Sequence, residues 1–437
     1  MNKACRNQAA RWLAERTGWS IFGTHEFCLF PEIFAMKTFA IFGSHRIIGL
    51  LVVLLGFHLF PIQTAFSQEA NQLTEDEVAS GWIQLFDGET LFGWKSAGSA
   101  DWQVVDGTIR CESGESCLLR TTSQFDDFEL HVEFKATAQT NSGVFLRTSP
   151  KPRNVTADCY ELNIAPADNP FPTGSFVQRQ HHSGKTDDQW HAFDVVAEAG
   201  KFQIKLDGET ILEYDDPTPT GKGYIGLQYR EGPIQFRNVK LRPLGLNSIF
   251  NGQDLSEWKT YPQMASEYSV TPEGWLHVKN GRGQLESNGK YGDFVLQYDC
   301  RTNGSQLNSG VFFRCIPGDE MMGYECQIHN GYKDNDRTSP LDCGTGGIFR
   351  RIDARRVVSD DHQWFKQTLI VDGPHVASWV NGYLVTDWTD TRQPNQNPRR
   401  GLRTEAGTLM IQGHDPTTDI DFRNLNVREI RERWTDQ

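Results

Sequence analysis

The sequence predicts an all-β protein made of two tandem β-sandwiches, on three observations. A series of short motifs occurs twice in the same order. The segments between them alternate apolar and polar residues over strand lengths. Helical periodicity is nearly absent after residue 75.

Taken in chain order, the first segment stands apart from that pattern. From Met36, Lys37 and Arg46 form a basic start, Ile47 to Phe60 an apolar stretch, and Ala65-Phe66-Ser67 a small-x-small site. Met36–Ser67 therefore reads as a secretory signal peptide behind a 35-residue extension, so residues 1–67 are excluded from the fold. Export predicts a periplasmic or secreted protein with no membrane attachment once the signal is removed.

The first copy is expected over 80–244 and the second over 247–431. "LFDGETLFGWK" (85–95) returns as "IFNGQDLSEWK" (249–259), "NSGVFLR" (141–147) as "NSGVFFR" (308–314), and "CYELNI" (159–164) as "GYECQI" (323–328). "TGSF" at 173, "DDQWH" at 187 and "FRNVKLR" at 236 return as "TGGI" at 345, "DDHQW" at 360 and "FRNLNVR" at 422. The offset is 164 residues from Phe86 to Phe250 but 186 from Phe236 to Phe422, so the second copy has gained residues late, mostly in "TDTRQPNQNPRRGLRTEAG" (389–407). Runs such as "FELHVEFKA" (128–136), "KFQIKLDGE" (201–209) and "FVLQYDCRT" (294–302) supply the strands, with Asp-Gly and Asn-Gly turns between strand-like segments. Two all-β units of this size, each with many short strands, indicate sandwiches or jelly rolls.

Charge and cysteines narrow the partners. The formal net charge is −13, and near −16 without the first 67 residues. That balance argues against nucleic acid, whose phosphates are bound by Lys and Arg, and is compatible with a neutral partner such as a sugar. Seven of nine cysteines follow residue 67. Cys111 and Cys117 flank a turn and could face each other across a hairpin, and one or two bridges among the others would suit an oxidising compartment. No C-x-x-C pair, H-E-x-x-H, G-x-S-x-G or phosphate loop is present.

Side-chain alternation sorts the repeated strands by face. Val311 and Phe313 share one face, and Phe312 and Arg314 the other; Val144 and Leu146 oppose Phe145 and Arg147 in the same way. An arginine does not sit unpaired in a core, so the arginine face is expected to be a cleft or a solvent face. In "YECQIHN", Tyr324, Cys326 and Ile328 point inward, and Glu325, Gln327 and His329 outward; Glu161 and Asn163 point outward in the first copy. Planar polar groups beside an aromatic wall suit a sugar.

Together, the repeated motifs with "WVNGYLVTDWTD" and "IQGHDPTTDIDFRNLNVRE" resemble the 3-keto-disaccharide hydrolase domain, related to 3-keto-glucoside lyases and 3-keto-2-hydroxyglucal hydratases. The likeness runs twice across nearly all of the chain beyond the signal, more closely in the second copy. It implies a concanavalin A-like jelly-roll sandwich in each half. It also implies cleavage, by elimination and hydration, of a glycoside oxidised at C3, with an upstream sugar 3-oxidoreductase as a partner. Glu325 is then the candidate base or acid, with His329 or His414 as its partner. Arg314, Gln327 and Phe312 would bind substrate, as would Glu161, Arg147 and Asn163 in the first copy. That copy departs from the pattern: Asn163 replaces the glutamine, no histidine follows, and Arg230 stands in place of His414, which favours a binding or weakened role. A single acid in "YECQI" disfavours a two-carboxylate glycosidase. A lectin-like, non-catalytic protein is the alternative. The cofactor requirement is unassigned: the fold admits a structural calcium, but no residue pattern locates a metal.

Overall fold

The structure, a computed structural model, describes residues 69–430. Met36–Ser67, expected from the sequence to be a signal peptide, and the extension before it lie outside the described residues. Apart from a six-residue helix, Glu75–Ser80, closed by a Thr74/Glu77 capping box, the regular elements are β-strands.

Two sandwiches with one topology account for them. Each pairs an eight-stranded with a five-stranded antiparallel sheet, and the strand order of the first is repeated in the second. Strands of the first run from Ile83 to Pro243 and those of the second from Asn247 to Glu429. The paired motif "LFDGETLFGWK/IFNGQDLSEWK" is a turn that closes on itself. Asp87 and Asn251 accept backbone N–H groups within the turn, while Trp94 and Trp258 donate Nε1–H to Leu85 O and Ile249 O at 2.5 and 2.9 Å.

Alternation holds in the strands and builds the cores. Val144, Leu146, Leu162 and Phe193 are buried in the first, and Val311, Phe313, Tyr324, Cys326 and Ile328 in the second. The first core does not stop at its own sheets. Val295, Ile370, Ala377 and Trp379 of the second sandwich join it, and Trp379 Nε1 donates to Gln84 O at 2.9 Å. Apolar burial of this kind makes the two repeats one body.

The repeated arginines depart from the expected geometry. Arg147 and Arg314 have φ of 48° and 49°, each at a bulge facing a neighbouring strand. A left-handed residue breaks the alternation, so the guanidinium turns away from the Phe face. Gly223 and Gly407 lie against the two bulges, where a Cβ would come within 2.3 Å of Arg147 C and of Cys315 O. Arg314 is 1% exposed and donates to Gly292 O, Gly373 O and Arg403 O at 2.9, 2.6 and 3.1 Å, and to Asp293 at 2.8 Å. Arg147, equally buried, donates to Ala199 O at 2.6 Å and to Asp127 at 3.1 Å. Both tie a strand to a hairpin turn inside the sandwich. The expectation that they face a sugar cleft is therefore corrected: the bulge sends them into the structure. The other sandwich then contributes to each tie, since Arg428 reaches Asp127 at 2.7 Å and Lys222 reaches Asp293 at 3.3 Å.

All seven described cysteines are unbonded, Cys111 and Cys117 included. Among the described residues no helix is long and apolar enough to cross a membrane.

Candidate active site

The site lies on the outward face of the five-stranded sheet of the second sandwich. Its strands are, in spatial order, Trp258–Lys259, Gly283–Tyr291, Gly407–Gly413, Ser309–Cys315 and Tyr324–Ile328. Phe312 lies opposite Glu325, and Gly310 opposite Gln327. The conserved spelling of "NSG" in both repeats has a steric reason here. A Cβ at Gly310 would stand 2.8 Å from Glu325 Cγ and 2.9 Å from its Oε1, so the glycine leaves the space in which the glutamate side chain lies. Gly143 does the same, less tightly, for Glu161, at 3.5 Å. Gly310→Ala is accordingly expected to displace Glu325 and lower activity by about 10²-fold with the fold retained, read as kcat alongside an unchanged circular dichroism spectrum.

A cavity of about 230 Å³ opens above these strands. Glu325, Gln327, Phe312, Asn308, Gln412 and His414 contribute to its walls. Glu325 is 8% exposed, and burial, with a smaller push from Asp342, raises its carboxyl to about 7 against opposing effects of Arg399 and Arg350; among the described residues no hydrogen bond supports the carboxylate. Gln327 Nε2 donates to Asn308 Oδ1 at 3.3 Å and to Asp342 Oδ2 at 3.1 Å. The buried Oε1 atoms of Gln327 and Gln412 have no partner. An uncompensated carboxyl beside two orphaned amide oxygens is costly in a finished core but suited to a ligand rich in hydroxyl donors.

The histidines separate. His414 is exposed at the cavity wall, its Nδ1 2.8 Å from Asp415 Oδ2. His329 lies just past the strand, accepts the Gly331 N–H at Nδ1, and does not line the cavity. Burial lowers its pKa, which keeps the ring neutral.

In the first sandwich Glu161 is likewise pushed up to about 7 by burial, opposed by Arg230 and Gln228. Its surroundings differ. Asn163 donates Nδ2–H to Phe171 O, and Arg230 stands in place of His414. Phe145 and Phe312 do not differ, since both are buried in small apolar clusters, Phe145 with Leu118 and Cys159 and Phe312 with Cys315, Met321 and Met410. Asn308, Asp342, Phe349, Arg350, Arg399 and Gln412 belong to the second site although the search for acids, histidines and strand faces did not single them out. Asn308 sits inside the repeated "NSG" and Gln412 inside "IQGH" of the second copy, so they were within reach of pattern. The rest come from loops.

The two raised carboxyls carry a stability consequence. A carboxyl whose pKa rises on folding stabilises the native state fully below its unfolded pKa near 4.5, and that contribution is lost as pH rises through about 7. Above pH 7 the ionised Glu325 then costs on the order of 3 kcal/mol. Glu325→Gln should therefore melt higher than the wild type at pH 8 by a wider margin than at pH 5, measured as Tm at both pH values.

Among the described residues no group of three or more His, Cys, Asp or Glu is arranged to hold a metal ion.

The sequence profile of the 3-keto-alpha-glucoside-1,2-lyase-like domain matches residues 81–242 and again 245–428. The chain belongs to this family, in two tandem copies. It is similar to the 3-keto-disaccharide hydrolase of Bacteroides thetaiotaomicron, 32% identical over 93 residues, which is 18% of this chain and 31% of that protein. The chain thus matches about a third of that relative's length. Among solved structures it is similar to a candidate glycosyl hydrolase from Parabacteroides distasonis ATCC 8503, at 21% identity and a TM-score of 0.36, covering 40% of this chain and 100% of the other. It is also similar to a carbohydrate binding module from Bacillus subtilis, at 16% identity and a TM-score of 0.29, covering 34% and 95%. The Glu325 cavity is a site within the second copy of the 3-keto-alpha-glucoside-1,2-lyase-like domain.

Proposed function

We propose that the second domain cleaves 3-keto-glycosides, 3-keto-disaccharides among them, and that Glu325 takes the C2 proton. The observation that carries the reading is the Glu325 carboxyl: buried, unsupported by any hydrogen bond among the described residues, and titrating near neutrality beside a cavity walled by amides. A ketone at C3 acidifies the C2–H bond, so a base with a pKa near the working pH is matched to the task.

The steps balance without a further reactant than water. Ionised Glu325 removes the C2 proton, and the electron pair forms the enolate of the C3 ketone. The enolate collapses to a C1–C2 double bond as the C1–O bond breaks, and the leaving oxygen gains a proton. Water then adds at C1, C2 is reprotonated, and the net reaction is hydrolysis. In this reading the Gln327 and Gln412 carbonyl oxygens accept sugar hydroxyls, the half-buried Phe349 rather than the 1% exposed Phe312 lies against a ring face, and His414, at the cavity wall, is the group that exchanges the leaving-group proton. Neither Arg314 nor Arg147 takes part. The membership of both repeats in the family, together with the named relative, supports a carbohydrate substrate. Supply of that substrate requires a dehydrogenase or oxidase acting at C3, and export by the signal peptide would place the reaction in the periplasm or outside the cell.

The test is product analysis with a synthetic 3-keto-disaccharide and its unoxidised parent. Release of 3-keto-glucose from the first alone supports the reading. Tight binding of either sugar with no product would instead establish a lectin-like protein.

A further inference from the structure

A second cavity, of about 180 Å³, adjoins the first on the other side of Glu325. The two share Phe312, Glu325, Phe349, Arg350 and Arg399 as a common wall. Each adds one further arginine, in different company: the first adds Arg282, which is ion-paired with Glu320, together with the amides, Asp342, Met321 and His414, whereas the second adds Arg351 with Gly323, Tyr324 and Pro398. Three guanidiniums therefore meet around a space whose sole acidic lining residue is Glu325.

These arginines are not used up by the fold. Arg351 donates to Arg350 O and Arg399 O at 2.9 and 3.0 Å, and Arg399 donates to Met321 O at 2.9 Å. Arg350 stacks on Phe349, 5.1 Å from the ring centroid. All of these partners are neutral. Neighbouring arginines are treated otherwise: Arg392 holds Asp390 at 2.7 Å, Arg403 holds Glu405 at 2.7 Å, and Arg282 holds Glu320 at 2.5 Å. In a chain of net charge −13, three converging guanidiniums that form no salt bridge among the described residues, with Glu325 as the acid they share, are a local reversal of sign.

Their origin in the sequence is informative. Pro398 and Arg399 lie in the stretch 389–407 that the second repeat has gained over the first. That loop has a fixed course. Arg392 donates to Asp390, Pro398 O and Gly401 O, and Tyr324 donates its hydroxyl to Asp390 at 2.8 Å. The insertion thus holds a cation over the pocket in one repeat and not in the other.

We infer that the arginine-walled cavity binds an oxyanion, a carboxylate or a sulfate, carried by the part of the glycoside that leaves. Planar guanidiniums suit such groups through paired N–H donors. The placement rests on the proposed function: if Glu325 faces C2 of the keto sugar in the amide-lined cavity, the residue beyond the C1–O bond extends into the other.

Calorimetric titration of the full chain with methyl glucuronide, methyl glucoside 6-sulfate and neutral methyl glucoside tests it. The anionic glycosides are expected to bind about tenfold more tightly than the neutral one. That preference should shrink with added sodium chloride and vanish in Arg350→Gln/Arg399→Gln, while Arg337→Gln, which lies outside both cavities and is paired with Asp360, retains it. Whichever anion binds better identifies the group. Equal affinity for neutral and anionic glycosides, or a preference that survives the double variant, overturns the inference. The outcome is separable from the enzymatic reading: turnover of a neutral 3-keto-disaccharide without anion preference removes only the anion pocket, and anion preference without any turnover removes only the chemistry.

Discussion

Replacing Glu325 by glutamine is expected to lower kcat for a 3-keto-disaccharide by about 10²–10⁴-fold, the range general-base catalysis contributes. Glutamine keeps the shape and the burial of the side chain but cannot accept a proton. KM should change little, because the amides, Phe349 and the flanking arginines remain. In the wild type, kcat/KM should rise with pH through an inflection near 7, where the buried carboxyl ionises. Glu161→Gln is the internal control. Its carboxyl is raised to about 7 by the same burial, but Asn163 is tied to Phe171 and Arg230 stands in place of His414, so turnover should persist. Loss of activity in the Glu161 variant with retention in the Glu325 variant would move the chemistry to the first repeat.

The second large effect concerns stability. Arg314→Met is expected to cost about 2–4 kcal/mol, because it leaves three buried carbonyls without their donor and Asp293 with only Lys222 and the Gly373 N–H as partners. Arg147→Met should cost a similar amount through Asp127 and the Ala199 carbonyl. Both should appear as lower midpoints in chemical denaturation, with kcat/KM of the folded fraction unchanged. A substrate-binding arginine predicts the opposite: ordinary stability and a raised KM. Because Lys222 and Arg428 reach the same aspartates from the opposite sandwich, the loss should also loosen the junction between repeats.

These two arginines mark the limit of pattern in this chain. Alternation placed Val311, Phe313, Tyr324, Cys326 and Ile328 in the core and Glu325 and Gln327 opposite, because those strands keep an unbroken pleat. It failed at Arg314 since a single residue at φ 49° reverses the direction of everything attached to it, and no side-chain periodicity announces a bulge. His329 failed for a related reason: the strand ends at Ile328, and the pleat carries no information past its end. The duplication was legible because repeated local structure repeats its turn residues, such as the Asp87 and Asn251 turns closed by Trp94 and Trp258. Arg350 and Arg399 were not legible as neighbours. They come from loops 49 positions apart in sequence, brought together only by the sheet between them.

The central claim is that sugar chemistry takes place over Gly310, between Glu325 and the amide wall of the second sandwich. The most direct measurement is a crystal structure of the Glu325→Gln variant with an unreacted 3-keto-disaccharide. The account predicts the keto sugar in the amide-lined cavity, its C2 within hydrogen-bonding reach of residue 325, and the second sugar toward Arg350 and Arg399. Density for the disaccharide on the first sandwich, or in the groove between the two, with the Glu325 cavity empty, would contradict it.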